Sequence, residues 1–180
     1  LPTGTVYGTL LNFRREHALW APRMNDAPYK APPNAPVLYV KTANTFTASG
    51  HPIALPSGVA EVEANATLGL VAAEGGAIAG AVLLNDVAIP HESYYRPPVK
   101  YRNVDGFLGV GDVVRPVTDL SSLGSLVLEL RVDGVMRQRT VLADLLKGTP
   151  NDTRVLYLLS MAERTDGDLP ASEATARRIL

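Results

Sequence analysis

The chain has 180 residues, 46% of them hydrophobic and 19% charged, with 17 basic and 18 acidic side chains giving a formal net charge of -1. This balance describes a globular domain rather than a disordered chain. It lacks the clustered positive charge that nucleic acid or an acidic membrane would need, since such binding rests on counterion release. With no cysteine there are no disulfides, thiolate metal sites or cysteine nucleophiles, which fits a cytoplasmic protein. The start, Leu1-Pro2-Thr3-Gly4, lacks the basic flank and apolar core of a signal peptide.

In chain order, Val6 to Leu11 reads as a strand with Gly8 inside it, and Asn12 to Trp20 as a short polar helix. Asn25 to Pro36 is a loop, because four of its twelve residues are proline. Val37 to Lys41 is β-branched and aromatic, hence a strand. Ile53 to Leu55 reads as a short strand between two turns, Gly50-His51-Pro52 and Pro56-Ser57-Gly58. The run Ala66 to Leu84 approaches the length of a membrane span. Glu74-Gly75-Gly76 at its centre would be costly in a bilayer and would weaken a helix. Two buried strands, Glu61 to Val71 and Ile78 to Val87, joined by a tight turn are the better reading.

His91 to Asp105 gathers His91, Glu92, Tyr94, Tyr95, Arg96, Lys100, Tyr101 and Arg102 around Pro97-Pro98. The prolines hold it off helix, so a loop or lid rich in hydrogen-bonding groups is expected, with Gly109 and Gly111 punctuating its end. Val113 to Val117 and Leu126 to Val132 are strands, and Asp133-Gly134 turns the second into Val135 to Thr140 as a hairpin. Asn151 to Glu163 has helical spacing, and Ser172 to Leu180 reads as a weak terminal helix. Without regular strand-helix alternation, a doubly wound or barrel fold is not expected.

The chemistry is sparse. None of the three histidines stands at i, i+4 from another, so the zinc-helix pattern is missing. His51 reads as an exposed turn residue, His17 as a solvated or capping group or a general base, and His91 as the residue that opens the Tyr/Arg segment, with a place in the lining of a pocket as its functional reading. No serine sits in a nucleophile elbow, and Gly106 to Gly111 has the wrong spacing for a dinucleotide loop. Asp86, at the end of an apolar run, needs partners. Two readings stand: an end-of-strand cap or ion pair with an arginine such as Arg96, or a ligand to a hard cation. Glu61 and Glu63 share one strand face, as co-ligands or as a solvated edge.

Several of these segments, in this order, resemble the fumarylacetoacetate hydrolase family. They are Leu11-Asn12-Phe13, Pro28-Tyr29-Lys30-Ala31-Pro32-Pro33, Val37-Leu38-Tyr39-Val40-Lys41, Ile53-Ala54-Leu55-Pro56-Ser57-Gly58 and Leu84-Asn85-Asp86-Val87. The stretch from Asn85 through His91 to Pro97, with Asp105-Gly106-Phe107, narrows the resemblance. It is to the amino-terminal half, or separate first subunit, of the family's isomerase/decarboxylases of 4-hydroxyphenylacetate breakdown. It covers residues 4 to about 145 well and the rest loosely, so a single domain over 1–180 is expected with a divergent end.

The resemblance implies an α+β, β-rich fold: a mixed, layered β-sheet core with short helices. It implies a magnesium ion held by two glutamates and one aspartate, acting as a Lewis acid that stabilises the enolate of a 2-oxo or 2-hydroxydiene dicarboxylic acid. Asp86 matches the family aspartate. The glutamate positions fall on Asn65 and Thr67, with Glu61 and Glu63 four residues too early. The catalytic histidine's place is Glu16, with His17 one residue late. Lys41, Arg96, Arg102 and Tyr94 are the implied substrate-binding side chains. Where the family has a helix before Ile78, this chain has only Glu74-Gly75-Gly76, and Asp166-Gly167-Asp168 takes the place of a closing Pro-Gly-Asp motif. The implied partner is a second copy or a metal-binding homologous subunit. The rival expectation is a catalytically silent structural partner that completes a dimer with such a homologue.

Overall fold

The structure, a computed structural model, describes residues 6–11, 14–35, 37–73, 77–91, 93 and 99–142. Its centre is a four-stranded mixed sheet. Strands β3 (Phe46–Ala48), β4 (Glu63–Ala72), β5 (Ile78–Ala88) and β6 (Leu108–Pro116) lie in the order β3-β6-β5-β4. The β3–β6 pair is parallel, and the β4–β5 and β5–β6 pairs are antiparallel. Two antiparallel ribbons accompany it: β1 (Val6–Leu10) with β2 (Val37–Lys41), and β7 (Val127–Val132) with β8 (Val135–Val141). The helices are short, α1 at Arg14–Trp20 and α2 at Val99–Arg102. This is the layered, β-rich α+β core expected from the sequence.

Side-chain alternation along β4 and β5 explains the layering. Val82 and Leu84 of β5 pack with Leu108 and Val110 of β6, and Val6 of the first ribbon rests on this cluster. The opposite face carries Ala66, Leu68, Leu70 and Ala81, packed with Leu128, Leu130 and Leu142 from the second ribbon and with Val117 and Leu123. Both sheet faces therefore carry packed clusters, and the two expected strands form β4 and β5, paired antiparallel. Among the described residues no helix is long and apolar enough to cross a membrane. A third cluster, Leu10, Leu11, Met24, Tyr29 and Tyr39, fills the space beneath the proline-rich loop.

The Asp133-Gly134 turn has positive φ at both residues, 51° and 77°, as a two-residue turn of this hand requires. Val132 and Val135 pair beside it.

Four expectations change. The strand expected at Ile53 to Leu55 does not form. The edge strand is Phe46–Ala48 instead. Pro52 and Pro56 bracket Ile53 and cannot donate to a ladder, whereas Phe46 to Ala48 find partners on β6 62 residues away in sequence. The segment before Asp105 is not free of helix: Val99–Arg102 make one turn, closed by Asn103 N–H to Val99 O at 2.8 Å. A proline pair constrains the residues before it, not the turn after it. Gly109 and Gly111 lie inside β6 and do not end the preceding loop. They serve close approach, since a side chain at Gly111 would meet the Leu83 carbonyl at 3.1 Å. Finally, a 3-10 turn at Leu120–Leu123, capped by Asp119 accepting from Ser121 N–H at 3.0 Å, had not been expected. The helices expected at Asn151 to Glu163 and Ser172 to Leu180 lie outside the described residues.

Candidate functional site

Residues 39 and 41 point to one side of β2, and that side faces β5. Tyr39 and Lys41 therefore both reach Asp86, which sits near the end of β5 and is 3% exposed. The Tyr39 hydroxyl donates to Asp86 Oδ2 at 2.5 Å. Lys41, 1% exposed, lies 2.8 Å from Asp86 Oδ1. Its ammonium also donates to the carbonyls of Val87 at 2.7 Å and Phe107 at 2.9 Å. These two carbonyl bonds fix the ammonium's orientation. Its contact with Oδ1 is a close charge pair. Burial pulls the Lys41 pKa below its ordinary value. Asp86 opposes that pull and the nearby Arg102 adds to it.

Arg102 comes from α2. Its Nη1 donates to Asp86 Oδ2 at 3.1 Å, and its guanidinium carbon lies 4.7 Å from the centre of the Tyr39 ring. Arg102 is 7% exposed, and its Nε–H is buried without a partner among the described residues. One carboxylate thus meets a phenol and two cationic side chains. Such a cluster is strongly interdependent, because removing one member leaves another buried and unpaired.

The surroundings hold α2 and the adjoining loop in place. Ile89 N–H donates to the Tyr101 carbonyl at 2.9 Å and Val87 N–H to the Phe107 carbonyl at 3.0 Å. The Asn103 side-chain oxygen accepts from the Thr42 N–H and from its hydroxyl, both at 2.9 Å. Nearby, Asn44 donates to Asp105 at 2.5 Å. Residues 41 to 44 and 103 to 107 are therefore stitched together on either side of the cluster.

Of the expected site residues, the structure unites Asp86, Lys41 and Arg102. Asp86 forms the expected ion pair with an arginine, Arg102, and a second with Lys41. Arg96 and Tyr94 lie outside the described residues, as does the side chain of Glu16. His17 is exposed on α1, and among the described residues no hydrogen bond links it to the cluster. Asn65 pairs with Asp86 across the β4–β5 ladder, and Thr67 with Leu84. Glu63 is exposed opposite Ala88, and exposed Glu61 precedes the strand, which fits the solvated-edge reading of both. His51 is exposed as expected. His91 is half-buried. Its Nδ1–H donates to the Ile89 carbonyl at 3.0 Å, and its ring stacks on Tyr101 at 5.1 Å.

Tyr39 was missed by the sequence reading. The signal available was its position two residues before Lys41 in the same strand.

The residues present do not fit the magnesium ion of the family pattern. Such an ion takes oxygen ligands and is held through one or more carboxylates. Here Asp86 is occupied by an ammonium and a guanidinium, and the neighbouring ladder positions are an amide and a hydroxyl. Among the described residues no group of three histidine, aspartate or glutamate side chains is placed to hold a metal.

The chain is similar to known proteins in sequence and in fold. Residues 5–152 match the family described as Fumarylacetoacetate (FAA) hydrolase C-terminal. The 4-hydroxyphenylacetate degradation bifunctional isomerase/decarboxylase of Escherichia coli is 33% identical over 167 residues, which is 87% of this chain and 37% of that protein. The Salmonella dublin protein of the same description is 35% identical over 130 residues, 67% of this chain and 30% of its own length. The chain thus spans about a third of the length of these curated relatives. Among solved structures, a protein from Oleispira antarctica described as a fumarylacetoacetate isomerase/hydrolase superposes with a TM-score of 0.63 at 17% identity, covering 92% of this chain and 75% of that one. A 2-keto-3-deoxyarabinonate dehydratase also gives 0.63, at 16% identity, covering 90% and 58%. At such identities the structural likeness speaks for the fold, and the extent of the sequence match settles the kinship: this chain belongs to the fumarylacetoacetate hydrolase family.

Proposed function

We infer that the chain is a component of an isomerase/decarboxylase acting on 2-oxo or 2-hydroxydiene dicarboxylic acids in cytoplasmic 4-hydroxyphenylacetate catabolism. It works as one half of an assembly, paired with a second copy or, in the version we favour, with a homologous metal-binding half. The names of its relatives support the reaction class. The observation that carries the division of labour is the occupied carboxylate. Asp86 is neutralised from within by Lys41 and Arg102, and Asn65 stands opposite it. Magnesium in the assembly is held by the homologous half and not at Asp86.

What this chain's own residues supply is fixed positive charge. Lys41 has its ammonium turned to three oxygens at 2.7–2.9 Å. That makes it a strut between β2, β5 and Phe107, the residue before β6. Among the described residues the buried Arg102 Nε–H has no partner, and a guanidinium recognises a carboxylate through paired donors. Arg102 is therefore the group assigned to a substrate carboxylate.

The second reading is a partner with no contact to substrate at all, and the replacement of the glutamate pair by Asn65 and Thr67 favours it. The experiment that separates the two is steady-state turnover with magnesium, for the chain alone and for the chain with a metal-binding homologue. Activity only in the pair, with KM raised by Arg102→Lys, supports the component reading. Kinetics unchanged by Arg102→Lys support the silent partner. Full activity of the chain alone, abolished by Asp86→Ala, would overturn both.

A further inference from the structure

Gly8 stands opposite Tyr39 in the β1–β2 ladder. A methyl group at Gly8 would lie 2.1 Å from Tyr39 Cζ and 2.4 Å from its hydroxyl oxygen. The phenol therefore crosses directly over the Gly8 backbone. Gly8 is not one of the glycines with positive φ, which among the described residues are Gly50, Gly58, Gly106 and Gly134. Its backbone would accept an ordinary residue, so the space, not the conformation, requires glycine here.

The ring that uses this space does two things at its far side. Its hydroxyl lands on Asp86 Oδ2, and its face lies 4.7 Å from the Arg102 guanidinium carbon. Arg102 reaches the same Oδ2 through Nη1. The guanidinium is thus fixed along one edge by the carboxylate and across one face by the ring.

We propose that Gly8 is a positioning residue for Arg102: the missing side chain opens the slot that sets Tyr39 between the β1 backbone and the guanidinium. The catalytic consequence rests on the reading of Arg102 as the carboxylate-binding group; the geometric claim does not. A side chain at Gly8 would push the phenol out of its slot. Arg102 would then lose its stacking partner, and Asp86 a hydrogen bond.

The test is the Arg102 Nε–H resonance in the full chain labelled with 15N-arginine, assigned by its loss in Arg102→Lys. A guanidinium above a ring face is shifted upfield by the ring current. Tyr39→Leu removes that shift, and Gly8→Ala removes it equally. In the Tyr39→Leu background, adding Gly8→Ala leaves the resonance unchanged and does not lower the urea midpoint, because the ring it would strike is gone. If Gly8→Ala alone does not fold, the double variant still folds as well as Tyr39→Leu. A folded Gly8→Ala chain with the wild-type resonance overturns the proposal. So does a double variant less stable than Tyr39→Leu, since Gly8 would then serve the backbone. In an active assembly Gly8→Ala also raises KM for the dicarboxylate about tenfold, the scale of one charge-assisted contact, with a smaller effect on kcat. Absence of turnover with the resonance pattern intact counts against the functional reading alone. An unmoved resonance counts against this inference whatever the turnover.

Discussion

Asn65 faces Asp86 directly across the β4–β5 ladder. Carboxylates at position 65 and two residues on would add ligands on the Asp86 side of the sheet. With an amide and a hydroxyl there, Asp86 is balanced from the other direction, by Lys41 of β2 and Arg102 of α2. The same three residues join the first ribbon, the central sheet and the helix, so this cluster is as much a fastening as a site.

Lys41→Met tests the fastening. It leaves Asp86 short of one cation and strips the Val87 and Phe107 carbonyls of their donor. Breaking a buried pair from one side costs on the order of 3–5 kcal/mol. The expected outcome in urea denaturation is a loss of that order. Lys41→Met with Asp86→Leu costs clearly less than the sum of the single changes, because neither charge is then stranded.

The pH dependence of stability follows from the lowered Lys41 pKa. The folded state releases the lysine proton at lower pH than the unfolded state does. Below the folded pKa both states are charged, and the folded one bears the cost of burying that charge. Between the folded pKa and the ordinary lysine value only the unfolded chain holds the proton, so the lysine's contribution to stability rises with pH across that window. Urea midpoints measured from neutral to alkaline pH should therefore climb for the wild type relative to Lys41→Met. A difference that is flat, or falls, contradicts the direction.

Gly80→Ala probes how tightly β5 and β6 approach. A side chain there would come 2.7 Å from Val114 Cγ1 and 2.9 Å from the Arg115 carbonyl oxygen. Val114 is half exposed and can turn aside, but the carbonyl is backbone and cannot. Overpacking of this kind costs about 1–3 kcal/mol. Gly80→Ala should lower the urea midpoint accordingly, with the far-UV spectrum unchanged.

The sequence showed the elements with strong local signals. Val37 to Lys41, the Ile78 strand and the Asp133-Gly134 hairpin lie where β-branched runs and turn residues put them. It misread elements whose cause is distant. Phe46–Ala48 is a strand only because β6 offers a parallel edge, and Gly111 sits within β6 because Leu83 comes close. The site was legible as a list: Asp86, Lys41 and Arg102 were each singled out. Their union was not. Which arginine would reach Asp86 depends on the turn at Val99–Arg102, and the part played by Tyr39 depends on the open space at Gly8. Neither leaves a mark within a few residues of Asp86.

The most direct test of the account is a titration of the full chain with Mn2+, followed by electron paramagnetic resonance of the free ion and by calorimetry. Asp86 is already paired with Lys41 and Arg102, so the account predicts no site that depends on it. The wild type and Asp86→Asn should give the same titration, and thermal unfolding should be unmoved by magnesium or EDTA. A stoichiometric site present in the wild type and lost in a folded Asp86→Asn would contradict the account, because it would show that the carboxylate remains available to a metal.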